Sequence, residues 1–563
     1  MNYMNIYESW LSSDDVDENT KKELLSIKDD PAQIQDRFYK SLEFGTAGLR
    51  GKLGAGTNRM NTYIVAKVTQ GIADYILDYG KAYMDSGVVI AYDCRHFAPE
   101  FAKLTALVFA ANGIKAYLFE SLRPTPELSY TLRELDAVSG INVTASHNPK
   151  EYSGYKVYWE DGAQVLDDIA NGMTEKINQV PIFNGAKMIT EEEALNQGLL
   201  VMLGQKEDDA YIKMVKSLSL RDQDVEKDIK IVYTPLNGAG SIPVMRVLRE
   251  KGFTQITIVP EQEHPDPNFT TVDYPNPEDP RAFEYAEKLG SSLGAELLIA
   301  TDPDADRLAI EVLDQAGNYV PFNGNQTGAI LVQYIAQSME EKGILPNKPA
   351  IVKSIVTGDL GKVIAADYGF TTFESLTGFK NICGRIPELA NEGYQYILGY
   401  EESIGYSVGT SVRDKDGVSA TMLLCEAAGY YKSKGKTLLN VLDEIYKTYG
   451  YYKEKQISLV LDGVEGQNRI GRMMTHYRAH YPQKIGAFKT VEAIDYLGGY
   501  MDIPSSNVLK YMLDDGSWYA VRPSGTEPKI KLYIYTKGDT DERAAAIIEL
   551  IEKTVLGVLE SVE

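Results

Sequence analysis

Short apolar runs of strand length alternate with amphipathic helical stretches along most of this 563-residue chain. Residues 87–92 read as a strand, 100–112 as a helix ended by Gly113, and 114–119 as the next strand. The rhythm returns at 228–232, 241–251 and 255–259, and again at 350–356 and 394–398. A helix between two strands is long enough to cross over, so the strands pair in parallel and need helices on both faces. A chain of this length also exceeds one hydrophobic core and should divide into roughly two to five domains. The end of the chain has a different pattern. Residues 518–522 and 530–535 read as strands around a loop, followed by a helix from 541 to about 558, which suggests a smaller α+β unit. Residues 1 to about 40 read as helical and polar. The stretch 264–280, with prolines at 265, 267, 275, 277 and 280, reads as an irregular surface loop.

Charge and composition exclude several functions. The formal net charge is −23, from 80 acidic and 57 basic residues. A nucleic-acid binder needs a basic face, so none is expected, whereas a small anionic substrate needs only a few local Arg and Lys residues. Cys94, Cys383 and Cys425 are far apart and show no zinc spacing, as expected of buried thiols in a reducing cytosol. The N-terminus has no apolar signal core. No segment approaches the ~18–20 apolar residues of a membrane span. The expectation is a soluble cytoplasmic protein with no membrane partner. Gly429–Thr437 resembles a P-loop, but five residues separate Gly429 from Gly435 where the motif has four. Gly238-Ala239-Gly240 lacks the third glycine of a nucleotide fingerprint.

Four polar loops remain as candidates for chemistry. Thr144-Ala145-Ser146-His147-Asn148-Pro149 follows a strand candidate at 138–143 and sets a serine beside a histidine, the pattern of a nucleophile with a proton-transfer partner. Thr301–Arg307 follows a strand candidate at 296–300 and carries Asp302, Asp304 and Asp306. These are hard oxygen ligands suited to Mg²⁺ or Ca²⁺, and the EF-hand pattern fails because Arg307 and Leu313 stand where its glycine and glutamate belong. Arg307 next to three carboxylates favours Mg²⁺ beside a phosphate. Gly399–Gly405 offers Glu401 and Ser403 to vicinal hydroxyls, with glycines that permit close backbone approach, although a plain polar turn reads the same way. Arg522–Lys529 combines an arginine fork with Ser524, Gly525 and Thr526 in the manner of an anion cradle, or of an ordinary hairpin loop.

These four loops, in this order, resemble the α-D-phosphohexomutase family, and Phe44–Gly51 is similar to that family's opening signature. The length and the Glu401-Glu402-Ser403 loop look most like the bacterial phosphoglucomutase branch related to phosphopentomutases. The resemblance implies three α/β domains with mixed or parallel sheets and a C-terminal α+β domain around a central cleft. We set the boundaries at 1–207, 208–322, 323–452 and 453–563. It implies that Ser146 carries the phosphoryl group, and that Asp302, Asp304 and Asp306, with a phosphoserine oxygen of Ser146, bind one Mg²⁺. It implies that Glu401 and Ser403 recognise sugar hydroxyls and that Arg522, Ser524, Gly525 and Thr526 grip the other phosphate. Thr357, Gly378, Arg307 and Lys531 join the substrate-binding residues, and the catalytic residues include Lys380, in a loop whose lysine approaches the substrate, which with Mg²⁺ and Arg50 would offset negative charge in the transition state. His147, Lys156 and Arg50 are candidates for the general acid/base, and the sequence does not choose among them.

The implied activity is interconversion of glucose 1-phosphate and glucose 6-phosphate, with glucose 1,6-bisphosphate as activator. The implied assembly is a monomer or weak homodimer. Mannose or pentose phosphates are alternative substrates. A phosphatase or a non-catalytic sugar-phosphate-binding protein would be a different class.

Overall fold

Among the described residues, four β-sheets follow one another along the chain. The computed structural model describes residues 2–46, 48–461, 463–524 and 529–563. Ala47 of the opening signature and Gly525 and Thr526 of the fourth loop lie outside the described residues. The first sheet runs in the order Leu49–Lys52, Tyr152–Trp159, Ser139–Val143, Val88–Tyr92, Ala116–Phe119, Leu200–Leu203. Its last four strands are parallel and its first two pair antiparallel. The second sheet runs Tyr319–Phe322, Leu308–Leu313, Leu297–Thr301, Ile231–Thr234, Ile256–Ile258, with the last three parallel. The third runs Thr371–Ser375, Pro349–Ser354, Gln395–Glu401, Gly405–Val408, the last strand being antiparallel. The fourth has six strands from Lys484–Ile485 to Tyr451–Val460 and is antiparallel throughout.

In each of the first three sheets, a parallel strand ends in a polar turn and the chain returns antiparallel beside it. The strand pairs are Ser139–Val143 with Tyr152–Trp159, Leu297–Thr301 with Leu308–Leu313, and Gln395–Glu401 with Gly405–Val408. The mixed sheets follow from these hairpins. They also aim the turns out of the carboxyl ends of parallel strands, where rigid structure presents loops for chemistry.

Two expectations need correction. The strand expected at 394–398 continues to Glu401, because Gly399, Tyr400 and Glu401 pair with Ser407, Tyr406 and Gly405. The third turn is therefore only Glu402–Ile404. Gly399 is not there for a ligand: a Cβ on it would stand 2.0 Å from Tyr396 Oη and 2.5 Å from Ile382. The N-terminal segment is helical, as expected, but not simply polar. Helices Tyr3–Ser12, Glu18–Ser26 and Pro31–Phe38, capped by Asn2, Asp17 and Asp30, bury Tyr7, Trp10, Leu24, Ile34 and Phe38 in a cluster of their own.

The second and third units share one continuous core. The helix Gly417–Ser433 is buried along almost its whole length and packs on Ser241–Glu250 of the second unit. It is buried on every side, which is why it shows no clear amphipathic stripe, and its one carboxylate, Glu426, accepts from Leu220 N–H, Arg221 N–H and the Tyr334 hydroxyl. Among the described residues no helix is long and apolar enough to cross a membrane.

Trp10 is 1% exposed and meets Phe38, Tyr63 and Phe183 edge to face at 5.4–5.7 Å. Trp10→Ala should weaken docking of the N-terminal helices by about 3–5 kcal/mol. Limited proteolysis should then cut within residues 1–40 well before the rest of the chain. An unchanged order of cleavage would contradict this.

Candidate active site

The first turn holds its serine in an unusual backbone conformation. Ser146 has φ +51°, in the left-handed region that side chains rarely adopt. Its Oγ donates to Asp302 Oδ2 at 2.6 Å, across the boundary between the first and second units. His147 Nδ1 lies 3.2 Å from the same Oγ. Because the one hydroxyl proton goes to Asp302, the neutral Nδ1–H tautomer of the imidazole satisfies this contact. Burial, followed by the charges of Arg307, Arg50, Arg95 and Lys156, holds His147 well below its ordinary pKa, so the ring is neutral. Arg50, on the antiparallel edge strand, reaches Asn148 Oδ1 at 3.3 Å.

The aspartate turn is buried, and Asp302, Asp304 and Asp306 are at most 1% exposed. Lys156 Nζ donates to Asp304 Oδ2 at 2.7 Å and Asp306 Oδ2 at 3.0 Å. Thr125 Oγ1 donates to Asp304 Oδ2 at 2.6 Å, and Lys415 Nζ lies 3.1 Å from Asp306. Burial and the two neighbouring carboxylates push Asp302 well above the usual carboxyl range. Burial also opposes charge on Asp304, but the Lys156 ammonium outweighs it and holds this carboxyl low. Burial likewise disfavours the Lys156 charge, and Asp304 and Asp306 overcome it, so the ammonium is retained.

These residues suit a divalent cation. One carboxylate oxygen from each of the three lies within 4.8 Å of the others. Asp304 Oδ1 and Asp306 Oδ1 are buried without a hydrogen-bond partner among the described residues. Unpaired buried carboxylate oxygens in one cluster are the donor set that a hard cation takes.

The Gly238-Ala239-Gly240 stretch, not a nucleotide site, packs on this turn. Ala239 N–H donates to Pro303 O at 2.8 Å, and a Cβ on Gly238 would stand 2.4 Å from Pro303 Cα.

A cleft of about 700 Å³ opens beside His147. Its walls come from all four units and include Tyr274, Glu278, Arg307, Glu401, Ser403, Arg522 and Lys531. Glu401 Oε1 accepts from Gly378 N–H at 2.6 Å. Glu402 Oε2 accepts from Thr357 Oγ1 at 2.8 Å, so Thr357 orients the neighbouring carboxylate. Arg307 Nη1 donates to Ser403 O at 3.0 Å and ties the second turn to the third. In the fourth unit, Arg522 and Lys531 face each other across paired strands, and Ser524 N–H donates to Lys529 O at 2.7 Å. Burial, then Lys529 and Arg522, lowers the Lys531 ammonium from its ordinary pKa.

Residues 41–181, 209–315, 323–449 and 479–554 match, in order, the phosphoglucomutase/phosphomannomutase alpha/beta/alpha domains I, II and III and the C-terminal domain. The chain belongs to the phosphoglucomutase/phosphomannomutase family. A phosphoglucomutase of Staphylococcus epidermidis is 37% identical over 93% of this chain and 96% of its own. The fold is shared with parafusin, a Paramecium phosphoglucomutase in an open form, at a TM-score of 0.69 and 19% identity, over 92% of this chain and 96% of that one. It is also shared with an Aspergillus fumigatus N-acetylphosphoglucosamine mutase in complex with GlcNAc-6P and magnesium, at a TM-score of 0.53 and 12% identity, over 93% and 97%.

In this member of the family, most of the expected site residues come together. Thr357 and Ser524 lie outside the cleft lining, and so does Lys380. Lys380 Nζ lies 3.7 Å from Asp167 Oδ1. Other residues were missed by the sequence reading. Lys415 enters from the third unit and also bonds Asp414 at 3.0 Å. Tyr274, Asn276 and Glu278 come from the proline-rich stretch, which is irregular but turned into the cleft, and Tyr274 meets the His147 ring edge to face at 5.9 Å. The close spacing of prolines and the Asp-Lys-Asp run at 414–416 were visible signals, but neither says where its segment packs.

Glu401 is 8% exposed, and burial and then Glu402 push its carboxyl up to about 7. A carboxyl raised on folding costs stability once the pH exceeds its unfolded value, and the full cost is present above the folded value. Glu401→Gln should therefore stabilise the fold at pH 8 by on the order of 1–3 kcal/mol, with the gain shrinking as the pH falls through about 7. Thermal melts at pH 5.5 and 8 test this, and an equal effect at both would refute it. The same variant should raise KM for the sugar phosphate.

Proposed function

We propose that this chain interconverts glucose 1-phosphate and glucose 6-phosphate, with Ser146 as the phosphoryl carrier. The observation that carries this reading is the Ser146 hydroxyl bonded directly into a buried three-aspartate cluster beside a polar cleft. A serine protease or esterase would have no use for such a cluster next to its nucleophile. Relatives named phosphoglucomutase, matched over nearly the whole chain, support glucose as the sugar.

In the first half-reaction the P–Oγ bond of phosphorylated Ser146 breaks and a bond forms from phosphorus to a sugar hydroxyl oxygen. The hydroxyl gives up its proton, and the serine oxygen gains one. The 3.2 Å contact and the neutral ring support His147 as the proton carrier. Lys156 is charged and held by two aspartates, so it, with Arg50, suits offsetting charge on the transferred group. The resulting glucose 1,6-bisphosphate turns end over end, and its other phosphate returns to Ser146. Arg522 and Lys531 would hold the phosphate that is not transferred, and Glu401 and Ser403 the hydroxyls.

The hard oxygen donors of Asp302, Asp304 and Asp306 suit Mg²⁺, the ion present in the Aspergillus fumigatus enzyme. When bound, Mg²⁺ would draw negative charge from the phosphoryl group. Glucose 1,6-bisphosphate would prime Ser146. The buried, unpaired Cys94, Cys383 and Cys425 suit a reducing compartment such as the cytoplasm. We take the enzyme to be a monomer or weak homodimer.

Coupled assays on glucose, mannose and pentose 1-phosphates, with and without the bisphosphate, test the substrate. A higher kcat/KM for mannose or pentose would overturn the glucose assignment. Release of free phosphate faster than isomer would indicate a phosphatase instead. Ser146→Ala should abolish isomerisation, and near-wild-type turnover would refute the carrier role. Asp304→Asn should shift the Mg²⁺ dependence of activity to higher concentration and lower kcat at least about 100-fold. An unchanged magnesium titration would remove the metal assignment.

A further inference from the structure

Two residues outside the recognised motifs hold the serine turn from beneath. Asp93 and Arg95 follow the strand Val88–Tyr92, and both side chains are 0% exposed. Asp93 Oδ1 accepts from the Arg95 backbone N–H at 2.9 Å, and Oδ2 accepts from Arg95 Nε at 3.1 Å. The rest of the guanidinium faces carbonyl oxygens of the serine turn and its exit. Nη2 donates to Ser146 O at 2.6 Å and to Asn148 O. Nη1 donates to Pro149 O at 2.9 Å and to Tyr152 O at 3.1 Å. A guanidinium has five N–H donors in a rigid plane, and this arrangement engages every one. Lysine, with three donors on one nitrogen, cannot reproduce it.

The other side of the Ser146 peptide is tied to the same carboxylate. Ser146 N–H donates to Thr144 Oγ1 at 2.8 Å, and Thr144 Oγ1 donates to Asp93 Oδ2 at 2.5 Å. The Phe269 ring, from the proline-rich stretch of the second unit, lies 5.1 Å from the guanidinium carbon. Ser146 itself is strained at φ +51°. Such a conformation is costly and persists only where its surroundings over-determine it.

We infer that Arg95, oriented by Asp93, is the positioning residue that fixes the Ser146 oxygen for phosphoryl transfer. It acts through the backbone of the turn and touches neither sugar nor phosphate. The donors grip the carbonyl of Ser146 and the Thr144 hydroxyl grips its N–H, so the peptide cannot relax toward an ordinary φ. Relaxation would swing Oγ away from Asp302, and displacements near 1 Å at a reacting atom cost about 100-fold in rate.

This inference rests on Ser146 as the phosphoryl carrier, and the test separates the two. Wild-type protein, Arg95→Lys and Thr144→Val are each mixed with glucose 1,6-bisphosphate, and phosphate on Ser146 is followed by quenched-flow peptide mass analysis. Arg95→Lys should slow phosphorylation and lower kcat about 100-fold while KM for glucose 1-phosphate stays within about threefold. Thr144→Val keeps the side-chain volume, removes one hydroxyl and should slow both by roughly tenfold, so the idea stays testable if Arg95→Lys folds poorly. Wild-type phosphorylation rates in the folded variants would overturn the positioning role. So would a loss confined to KM, or one that merely follows a lowered melting temperature. Wild-type protein that takes up no phosphate on Ser146 would overturn the carrier role itself.

Discussion

Everything in the cleft depends on burying three carboxylates within 4.8 Å of one another. Even at an effective dielectric of about 20, two unit charges 4 Å apart repel by about 4 kcal/mol, so the second unit cannot hold this turn alone. Its charges are offset from outside: Lys156 comes from the first sheet and Lys415 from the third unit. Neither lysine bonds Asp302, which is the carboxyl that burial and its neighbours drive upward and the one that receives the Ser146 hydroxyl. The electrostatic need for cations therefore draws three units to one point. The serine arrives on the strand next to Lys156, because Asn142 pairs with Lys156 in the same hairpin. A further cation among the unpaired oxygens would complete the balance.

The fourth unit is joined by a different charge cluster. Lys353 is fully buried and lies 3.1 Å from Asp359 and 3.2 Å from Glu374. From the fourth sheet, Trp518 Nε1 donates to Asp359 Oδ2 at 2.7 Å, and Lys510 Nζ donates to Ile355 O at 2.8 Å while lying 4.1 Å from the Trp518 ring. Burial pulls the Lys510 ammonium down to about 8. These contacts sit at the foot of the strand Trp518–Pro523, which carries Arg522. Desolvated ion pairs favour one docked arrangement over a sliding series, since a half-broken pair leaves a buried charge unmatched.

The serine, aspartate and glutamate turns were legible in the sequence because each is a run of neighbouring residues, and contiguous polar runs at strand ends survive without three-dimensional information. The strand cores were legible to within a few residues for the same reason. What stayed hidden depends on packing across units. Arg95 is one arginine beside an ordinary Asp-Cys pair until its guanidinium is seen beneath the Ser146 carbonyl. Lys415 lies 109 positions after Asp306, the carboxylate it pairs with, and nothing local links them. The proline-rich stretch was readable as irregular, but not as the segment that brings Tyr274 against His147. Trp10 and Phe38 stand among many charged residues, so the N-terminal helices look polar although each buries one face. Lys380 was found by its loop, not by its surroundings. It belongs to a recognisable loop, yet Asp167 of the first unit is the partner within reach.

In the proposed reaction, the cleft must bind one bisphosphate in two orientations and let it turn without releasing it. Tight, shape-specific contacts to either orientation would trap it, and binding that is equal in ground and transition states gives no acceleration of the chemical step. The walls suit weaker, interchangeable contacts. They carry carboxylates at Glu278, Glu401 and Glu402 and cations at Arg307, Arg522 and Lys531, spread over about 700 Å³. In that reaction either end of the sugar would meet a hydroxyl acceptor on one wall and a cation for its phosphate on another. The strong, fixed interactions are concentrated instead at Ser146 and the aspartates, where charge changes during transfer. A mobile substrate over a rigid carrier requires the serine turn to be the least yielding part of the cleft. A guanidinium with all five donors engaged beneath it supplies that rigidity.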